Sequence, residues 1–176
     1  MLDSAGVEFE SISSNVDEVA LKGRLFDAEA IASELSAAKA MSIQSGEWVI
    51  GSDSVVSVDG RLFDKPRDRN QAADHLRFFS GRTTLLTSAV ALARGGTIEW
   101  RHVEQARLVV RSLSEAFIDC YLNAEWPMVG YTVGVFRLEG RGVQLFSAID
   151  GDYFTILGMP LIALLGALRE RGIITA

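Results

Sequence analysis

Two long β-rich runs, residues 83–93 and 97–111, lie on either side of Gly95-Gly96. Branched and other apolar residues are frequent in both runs, which is typical of strands. A glycine pair adopts the positive φ angles of a tight turn at little steric cost. The pattern therefore predicts a long β-hairpin, and it restricts the chain to folds that are built around a sheet.

A second hairpin is predicted from the segment VIGSDSVVSVDG, residues 49–60. This segment is an apolar run that Asp53 interrupts, and its last two residues, Asp59-Gly60, are a strong signal for a tight turn. Residues 61–63 would return along it as the second strand.

Helices are predicted where apolar residues recur at helical spacing behind a capping residue. The predicted elements outside the two hairpins are a strand over residues 7–12 (VEFESI), helices over residues 28–44 (capped by Asp27), 69–79 (capped by Asp68) and 114–123, a loop with short strands over residues 124–142, a strand over residues 145–149, and a last helix that begins at Pro160 and ends near Arg171-Gly172. Helices interleaved with hairpins predict an α/β fold, with a mixed, curved β-sheet flanked by helices and a helix on each side of a cleft.

The composition limits the classes of protein to which the chain can belong. It has 176 residues, 48% of them hydrophobic, which suits the core of a single domain. Its formal net charge is −6, which argues against binding to nucleic acid because that binding needs a basic face. An anionic ligand would need local cations or a metal ion. The one cysteine, Cys120, excludes an intramolecular disulfide and a multi-cysteine zinc site.

The N-terminal residues lack the basic and apolar regions of a signal peptide. The most apolar window, residues 155–168, is interrupted by Pro160. It is also shorter than the roughly 18 to 20 residues that span a bilayer. We therefore expect a cytoplasmic protein that does not bind to membranes.

Asp53 is the residue of the predicted strands that most needs an explanation. A carboxylate is seldom buried unless it is paired or binds a metal. At an exposed strand end Asp53 would be an ordinary surface acid. In a site it would be a base or a ligand, and the small residues Ser52 and Ser54 would leave room for a substrate beside it.

Three basic residues each have a structural and a functional interpretation. Lys39 comes one position after an apolar helical stripe, where a lysine commonly extends its stem over the core. Lys65 precedes Pro66, which restricts Lys65 to extended geometry and holds it in a fixed direction. Arg82 follows a predicted helix end, and its guanidinium suits a phosphate or a carboxylate.

Other polar residues favour a structural interpretation when each is considered alone. His75 and His102 are isolated and lack the spacing of metal ligands, and Cys120 has no neighbouring partner. Asp17-Glu18 would be loop acids, and Asp152 would shape the entry to the last helix.

Several short motifs, taken together and in order, resemble the Maf family of nucleoside triphosphate pyrophosphatases. The resemblance runs from about residue 2 to the C-terminus, and it is carried by Asp17-Glu18, Ala38-Lys39, GSDSVV (51–56), Lys65-Pro66, SGRT (80–83), LEGRG (138–142) and GDYFTILGMPL (151–161). It implies one domain over residues 1–176, with two lobes, a central cleft and a fold related to that of inosine triphosphate pyrophosphatase.

The resemblance also implies metal-dependent hydrolysis between the α and β phosphates of a nucleotide. The products would be a nucleoside monophosphate and pyrophosphate, in a house-cleaning reaction of the nucleotide pool. Asp53 matches the family's proposed proton acceptor. Glu18, Lys39 and Lys65 match its conserved polar positions in the cleft. A divalent cation, Mg²⁺ or Mn²⁺, would bridge phosphate oxygens and the carboxylates of Glu18 and Asp53. Lys39 and Lys65 would neutralise charge that develops on the leaving pyrophosphate, and Arg82 would bind the substrate.

Two positions that differ between subfamilies imply which base is bound. They are Ser54 and Glu139 in this chain, whereas pyrimidine-specific members typically have Thr and Gln. A glutamate at the later position resembles the subfamily that hydrolyses 7-methyl-GTP. The positive charge of 7-methylguanine gives that glutamate a physical role, because a carboxylate offers both opposite charge and hydrogen-bond acceptors. The resemblance therefore favours 7-methyl-GTP over dTTP or UTP.

The chain also departs from the family pattern. The family normally begins with a strand and a Ser-x-Ser-x-Arg-Arg loop that holds phosphates, and this chain starts at Met1, just past where that loop would end. Thr84 stands where the family commonly has histidine. The alternative function is therefore a catalytically impaired relative that binds a nucleotide or a protein partner. A weaker one is an unrelated metal-dependent phosphohydrolase. We expect a homodimer, as is frequent among relatives.

Overall fold

The computed structural model describes residues 1–23 and 27–175. Its strands are β1 (Trp48–Val58), β2 (Arg61–Phe63), β3 (Thr83–Arg94), β4 (Thr97–Val110) and β5 (Phe146–Asp150). They form one sheet in the order β2-β1-β3-β4-β5. Its helices are α1 (Glu18–Lys22), α2 (Ala28–Met41), α3 (Arg69–Phe79), α4 (Glu115–Glu125), α5 (Tyr153–Ile156) and α6 (Leu161–Glu170). Within these ranges no helix combines the length and the apolar character that crossing a membrane requires.

Both predicted hairpins are confirmed, and so is the α/β class. The φ angles are 51° and 77° at Asp59 and Gly60, and 57° and 77° at Gly95 and Gly96. Positive φ at both central residues suits a two-residue hairpin turn, whose twist matches that of the flanking strands. The β1–β2 pairing sets Val56 opposite Phe63.

The sheet was expected to be mixed, but the strands of the described residues run antiparallel. The predicted strand over residues 7–12 is wrong, since these residues have no regular secondary structure. Alternating apolar residues indicate only that a segment could cover a core on one face, and a strand also needs a neighbour to which its backbone bonds. The short strands predicted within residues 124–142 are likewise absent from the described residues. Single 3-10 turns form at Met128–Tyr131 and Arg141–Leu145.

The predicted helix caps are confirmed in detail. Asp27 accepts a hydrogen bond of 2.9 Å from the Ala30 amide at the start of α2. Asp68 does the same for the Gln71 amide of α3, at 2.8 Å. Each cap satisfies a backbone donor that the helix leaves unpaired, which typically stabilises the fold by about 1 kcal/mol.

The chain divides into two compact units. The first comprises Met1–Ser54, Thr87–Glu104 and Asp152–Ala176, and the second comprises Val55–Leu86 and Gln105–Gly151. In the first unit both faces of β3 are covered. Val90 and Leu92 pack with α6, while Ala91 and Ala93 pack with Ala37 and Ala40 of α2. The small alanines allow α2 to approach the strands closely.

In the second unit, α3 and α4 lie against each other. The Arg77 guanidinium of α3 forms a two-pronged contact with the Glu115 carboxylate of α4, with hydrogen bonds of 2.9 and 2.8 Å. The Phe63 ring of β2 packs edge-on against the Phe79 and His75 rings of α3. This unit carries the β1–β2 turn and the segment 126–145.

Candidate active site

Three of the predicted site residues meet in the first unit. Lys39 of α2 places its ammonium 2.5 Å from Oδ1 of Asp53 on β1 and 2.8 Å from Oε1 of Glu18 at the start of α1. The Asp53 side chain is 10% exposed and that of Lys39 21% exposed, so the pair lies largely out of water. Two carboxylates and one ammonium therefore form a compact, partly buried cluster, and the sequence predicted all three of its members.

The approach of α2 to β1 depends on Gly51. A Cβ atom at this position would lie 2.1 Å from the Ser36 carbonyl oxygen and 2.5 Å from the Ala40 amide nitrogen, both on the backbone of α2. Only glycine permits this separation. Gly51 and Asp53 lie on the same face of β1 because side chains alternate along a strand. The close approach at Gly51 thus brings the turn of α2 between Ser36 and Ala40, which carries Lys39, within reach of Asp53.

The position of Glu18 is fixed by the first turn of α1. Asp17 accepts a hydrogen bond of 3.0 Å from the Ala20 amide and so begins the helix. Glu18 follows directly, in the first turn, where the helix dipole favours an acidic side chain. Asp17 is therefore a helix cap and Glu18 a first-turn residue in contact with Lys39, rather than two loop acids.

Burial and mutual contact shift the pKa values of this cluster. Burial raises the pKa of the Asp53 carboxyl above its usual value, and the hydrogen bond and charge of Lys39 oppose that rise. Burial lowers the pKa of Lys39, but its hydrogen bonds to Asp53 and Glu18 outweigh this effect and leave the pKa above its ordinary value. The contacts therefore favour the charged form of Lys39, and Lys39 favours the ionised form of Asp53 against the effect of burial.

The opposite face of β1 is held by hydroxyl groups. Ser52 and Ser54, which were expected to leave room for a substrate beside Asp53, lie on this face and are engaged there. Ser54 contacts the Ser88 hydroxyl of β3 at 2.7 Å, and Ser88 donates to the Thr155 carbonyl oxygen at 2.8 Å. Ser52 lies 2.8 Å from the Gly158 carbonyl oxygen. Serines within an apolar strand resemble ordinary core residues, so no sequence signal marks Ser88 as part of the site.

The other predicted substrate contacts, Lys65, Arg82 and Glu139, belong to the second unit. Lys65 is exposed beside the buried Pro66. Arg82 pairs with the Asp59 carboxylate at 2.9 Å and lies over the Phe78 ring. Glu139 is exposed and forms an ion pair of 3.3 Å with Arg137.

Cys120 is an exposed residue of α4, and His75 is a buried one of α3. His102 contacts the Glu104 carboxylate at 3.1 Å and stacks on Trp100. These contacts agree with the structural interpretation of the two histidines.

Glu18 and Asp53 are the carboxylates of this cluster that could hold a hard divalent cation. Among residues 1–23 and 27–175, no group of three or more His, Cys, Asp or Glu side chains could enclose a metal ion. Glu18 and Asp53 do supply carboxylate oxygens within reach of one ammonium. Mg²⁺ usually binds through one or two carboxylates together with phosphate oxygens rather than in a complete protein cage. Two neighbouring carboxylates are thus a suitable donor set for that mode of binding.

Comparison with known proteins gives one consistent result. The family described as Maf-like protein matches residues 1–171. The 7-methyl-GTP pyrophosphatase of Rhizobium meliloti (strain 1021) is 44% identical over 183 residues, which cover 100% of this chain and 92% of the relative. The nucleoside triphosphate pyrophosphatase of Nitrobacter hamburgensis is 45% identical over 181 residues, covering 99% and 89%. The 7-methyl-GTP pyrophosphatase of Brucella suis biovar 1 is 42% identical over 178 residues, covering 97% and 89%.

Proposed function

This chain belongs to the Maf-like protein family, and we propose that it hydrolyses 7-methyl-GTP in preference to dTTP or UTP, releasing pyrophosphate. The general activity, that of a nucleoside triphosphate pyrophosphatase, is the one for which its relatives are named. The bond broken in this proposal joins the α and β phosphates, and the second product is the nucleoside monophosphate.

The contact of Lys39 with both Asp53 and Glu18 is the observation that supports this proposal most strongly. In the proposed reaction Asp53 accepts a proton from the attacking water. A base is most effective when its pKa lies near the working pH, and burial moves the pKa of Asp53 in that direction. Lys39 keeps the carboxylate ionised, and its charge suits the phosphate groups that leave as pyrophosphate.

The remaining substrate contacts are proposed from the resemblance alone. The chain carries a formal net charge of −6, so a polyphosphate needs local cations. We assign Lys65 and Arg82 to the phosphates. Ser54 and Glu139 are assigned to the base.

The preference for 7-methyl-GTP is supported by Glu139 and by the names of two relatives. A carboxylate attracts the positively charged 7-methylguanine ring and accepts its hydrogen bonds. A neutral pyrimidine would gain less from the same group. Because Glu139 is exposed and paired with Arg137, a ligand can reach it by replacing the Arg137 contact.

Glu18 and Asp53 would hold the divalent cation, Mg²⁺ or Mn²⁺. Bound there with phosphate oxygens, such an ion would neutralise phosphate charge and polarise the reacting bond. Cytoplasmic location, a homodimer and the absence of nucleic acid and membrane partners stay predictions.

A nucleotide panel tests the proposed function. Purified protein is incubated with 7-methyl-GTP, GTP, UTP and dTTP, with and without Mg²⁺, and the released pyrophosphate is measured through a coupling pyrophosphatase. We expect 7-methyl-GTP to give the highest kcat/KM and Asp53→Ala to remove the activity. Turnover that equals the variant's background for every nucleotide would instead favour the binding-only relative. Release of orthophosphate without the coupling enzyme would favour an unrelated phosphohydrolase.

A further inference from the structure

The two serines that flank Asp53 connect β1 to the turn between α5 and α6. Because side chains alternate along a strand, Ser52 and Ser54 share the face opposite Asp53. Ser52 reaches the Gly158 carbonyl oxygen at 2.8 Å, and Ser54 reaches the Ser88 hydroxyl at 2.7 Å. The short segment that carries Asp53 is therefore bound on both faces, by α2 through Lys39 and, through the serines, by residues 155–158 at the end of α5 and the start of the turn after it.

Each hydroxyl of this hydrogen-bond chain has one proton to donate. Ser88 lies 2.8 Å from the Thr155 carbonyl oxygen, which only accepts, and donates to it. Ser54 then donates in the 2.7 Å contact with Ser88, because its other acceptor, the Gly158 carbonyl oxygen, is more distant at 3.3 Å. The chain runs from Ser54 through Ser88 to Thr155, and Ser88 both accepts and donates within it.

Thr155, at the end of this hydrogen-bond chain, is held by further hydrogen bonds. Thr155 is fully buried, and its hydroxyl donates to the Glu104 carboxylate. Its amide donates to Asp152, the capping residue of α5, at 3.0 Å. Ser88 is also fully buried. A hydrogen bond between buried groups is costly to remove because the partner left behind cannot turn to water. The turn is thus a fixed support for β1.

We propose that Ser88 is a positioning residue for Asp53, which acts through Ser54 by fixing the strand segment that carries the carboxylate. The catalytic half of this claim rests on the proposed function. Ser88 does not touch Asp53, but it contacts Ser54, which is assigned to the base. In Ser88→Ala the Ser54 hydroxyl is retained, so its contact with the base should persist and KM should change little. The loss of Ser88 should lower kcat, because a small displacement of a catalytic group slows the chemical step.

The test compares Ser88→Ala, Ser54→Ala and the double variant, with Thr84→Val as a control. The Thr84 hydroxyl on the same strand is buried and has no hydrogen-bond partner among the described residues, so Thr84→Val removes no hydrogen bond from β3. Kinetics are measured with 7-methyl-GTP well below the melting temperature of each variant. We expect Ser88→Ala to lower kcat on the order of tenfold with KM almost unchanged. Thr84→Val should keep the wild-type kcat.

The double variant distinguishes positioning from general destabilisation. If Ser88 acts through Ser54, Ser88→Ala should cause no further loss of kcat in the Ser54→Ala background. Effects that multiply in the double variant would overturn the proposal, and so would a wild-type kcat in Ser88→Ala.

A second measurement does not depend on activity. Amide hydrogen exchange at Asp53 and Ser54, followed by NMR, should accelerate in Ser88→Ala and stay unchanged in Thr84→Val. Unchanged exchange in Ser88→Ala overturns the positioning claim. If the wild type hydrolyses no nucleotide while the exchange accelerates as expected, the proposed function has failed and the structural part of the inference stands.

Discussion

The Lys39 ammonium donates a hydrogen bond of 2.5 Å to Oδ1 of Asp53, although the two residues lie fourteen positions apart and on different elements. The contact requires α2 to approach β1 at Gly51, and Glu18 completes it from α1. A strand carboxylate that is buried in this way keeps its charge because a cation is fixed beside it. The proposed role of Asp53 as proton acceptor depends on that contact.

Removing Lys39 should move the acid side of the pH–activity profile. Lys39 lowers the pKa of Asp53 through its hydrogen bond and its charge, in opposition to burial. In Lys39→Gln the pKa of Asp53 therefore rises further. Since only the ionised carboxylate accepts a proton, the acid limb of kcat/KM should shift to higher pH. The profile is measured with 7-methyl-GTP at constant ionic strength.

Lys22→Gln is the matched control for this shift. The charge of Lys22 also lowers the pKa of Asp53, but by less than the hydrogen bond or the charge of Lys39. Its removal should move the limb in the same direction by less. An acid limb that stays in place, or moves to lower pH, in Lys39→Gln would show that Asp53 is not the group being titrated.

Gly51→Ala should separate α2 from β1. The added Cβ would meet backbone atoms of Ser36 and Ala40 at 2.1 and 2.5 Å, and no side-chain rotation can relieve such contacts. We expect a loss of about 3 kcal/mol in the free energy of unfolding, measured in urea, because overpacking at a rigid contact is costly. Activity should fall as well, since the Lys39–Asp53 contact is displaced. Gly46→Ala, where a Cβ meets nothing within 4 Å, should be nearly neutral. Equal stability of the two variants would contradict the close-approach argument.

Glu139→Gln should change the choice of nucleotide. The substitution keeps the shape of the side chain and removes its charge, so the attraction to 7-methylguanine is lost. We expect kcat/KM for 7-methyl-GTP to fall about tenfold, as for the loss of one charged hydrogen bond, while the value for UTP stays constant or rises. Both substrates are assayed with the same enzyme preparation. A proportional loss for both would indicate that Glu139 does not read the base.

His75→Phe should alter the pH dependence of stability. Burial, and then the Arg61 charge, lower the pKa of His75 in the folded chain below its usual value. The folded state thus binds a proton less readily than the unfolded state. The stability that His75 contributes is complete above about pH 6.5 and is lost as the pH falls through the folded-state pKa.

His75→Phe has no titrating group at this position, so it does not lose this stability as the pH falls. Its advantage in unfolding free energy over the wild type should therefore grow as the pH is lowered from about 7.5 to 5.5. At neutral pH it should already gain about 1 kcal/mol, because Nδ1 of His75 is buried with no hydrogen-bond partner among the described residues. Urea titrations of both proteins at several pH values measure the difference, and a difference that is independent of pH would be contrary to this expectation.

Local signals in the sequence were sufficient for much of the fold. Asp27 and Asp68 mark helix starts because a capping carboxylate acts within three residues, and Asp59-Gly60 marks a hairpin because the turn conformation is set by two residues. The segment 7–12 was predicted wrongly because strand formation depends on a neighbour that lies elsewhere in the chain. The helices α1 and α5 were not anticipated because they have only five and four residues, too few to show a helical pattern of apolar residues.

The candidate site was likewise predicted only in part. Asp53, Lys39 and Glu18 were selected by resemblance to a family, and the structure brings them into contact. Ser88 was not selected, because its role depends on partners 34 and 67 residues away and on the number of protons available to a hydroxyl chain. Neither feature can be read from a serine in an apolar strand.

The most direct measurement is product formation from 7-methyl-GTP by the wild type and by Asp53→Asn, with Glu34→Gln as the matched control. Glu34 is an exposed acid on α2 whose ion pair with Arg101 lies on the surface. We predict one pyrophosphate for each 7-methyl-GMP in the wild type, the same rate in Glu34→Gln, and a kcat lower by about 10² to 10⁴ in Asp53→Asn. An Asp53→Asn enzyme that releases pyrophosphate at the wild-type rate would contradict the assignment of Asp53 as the proton acceptor.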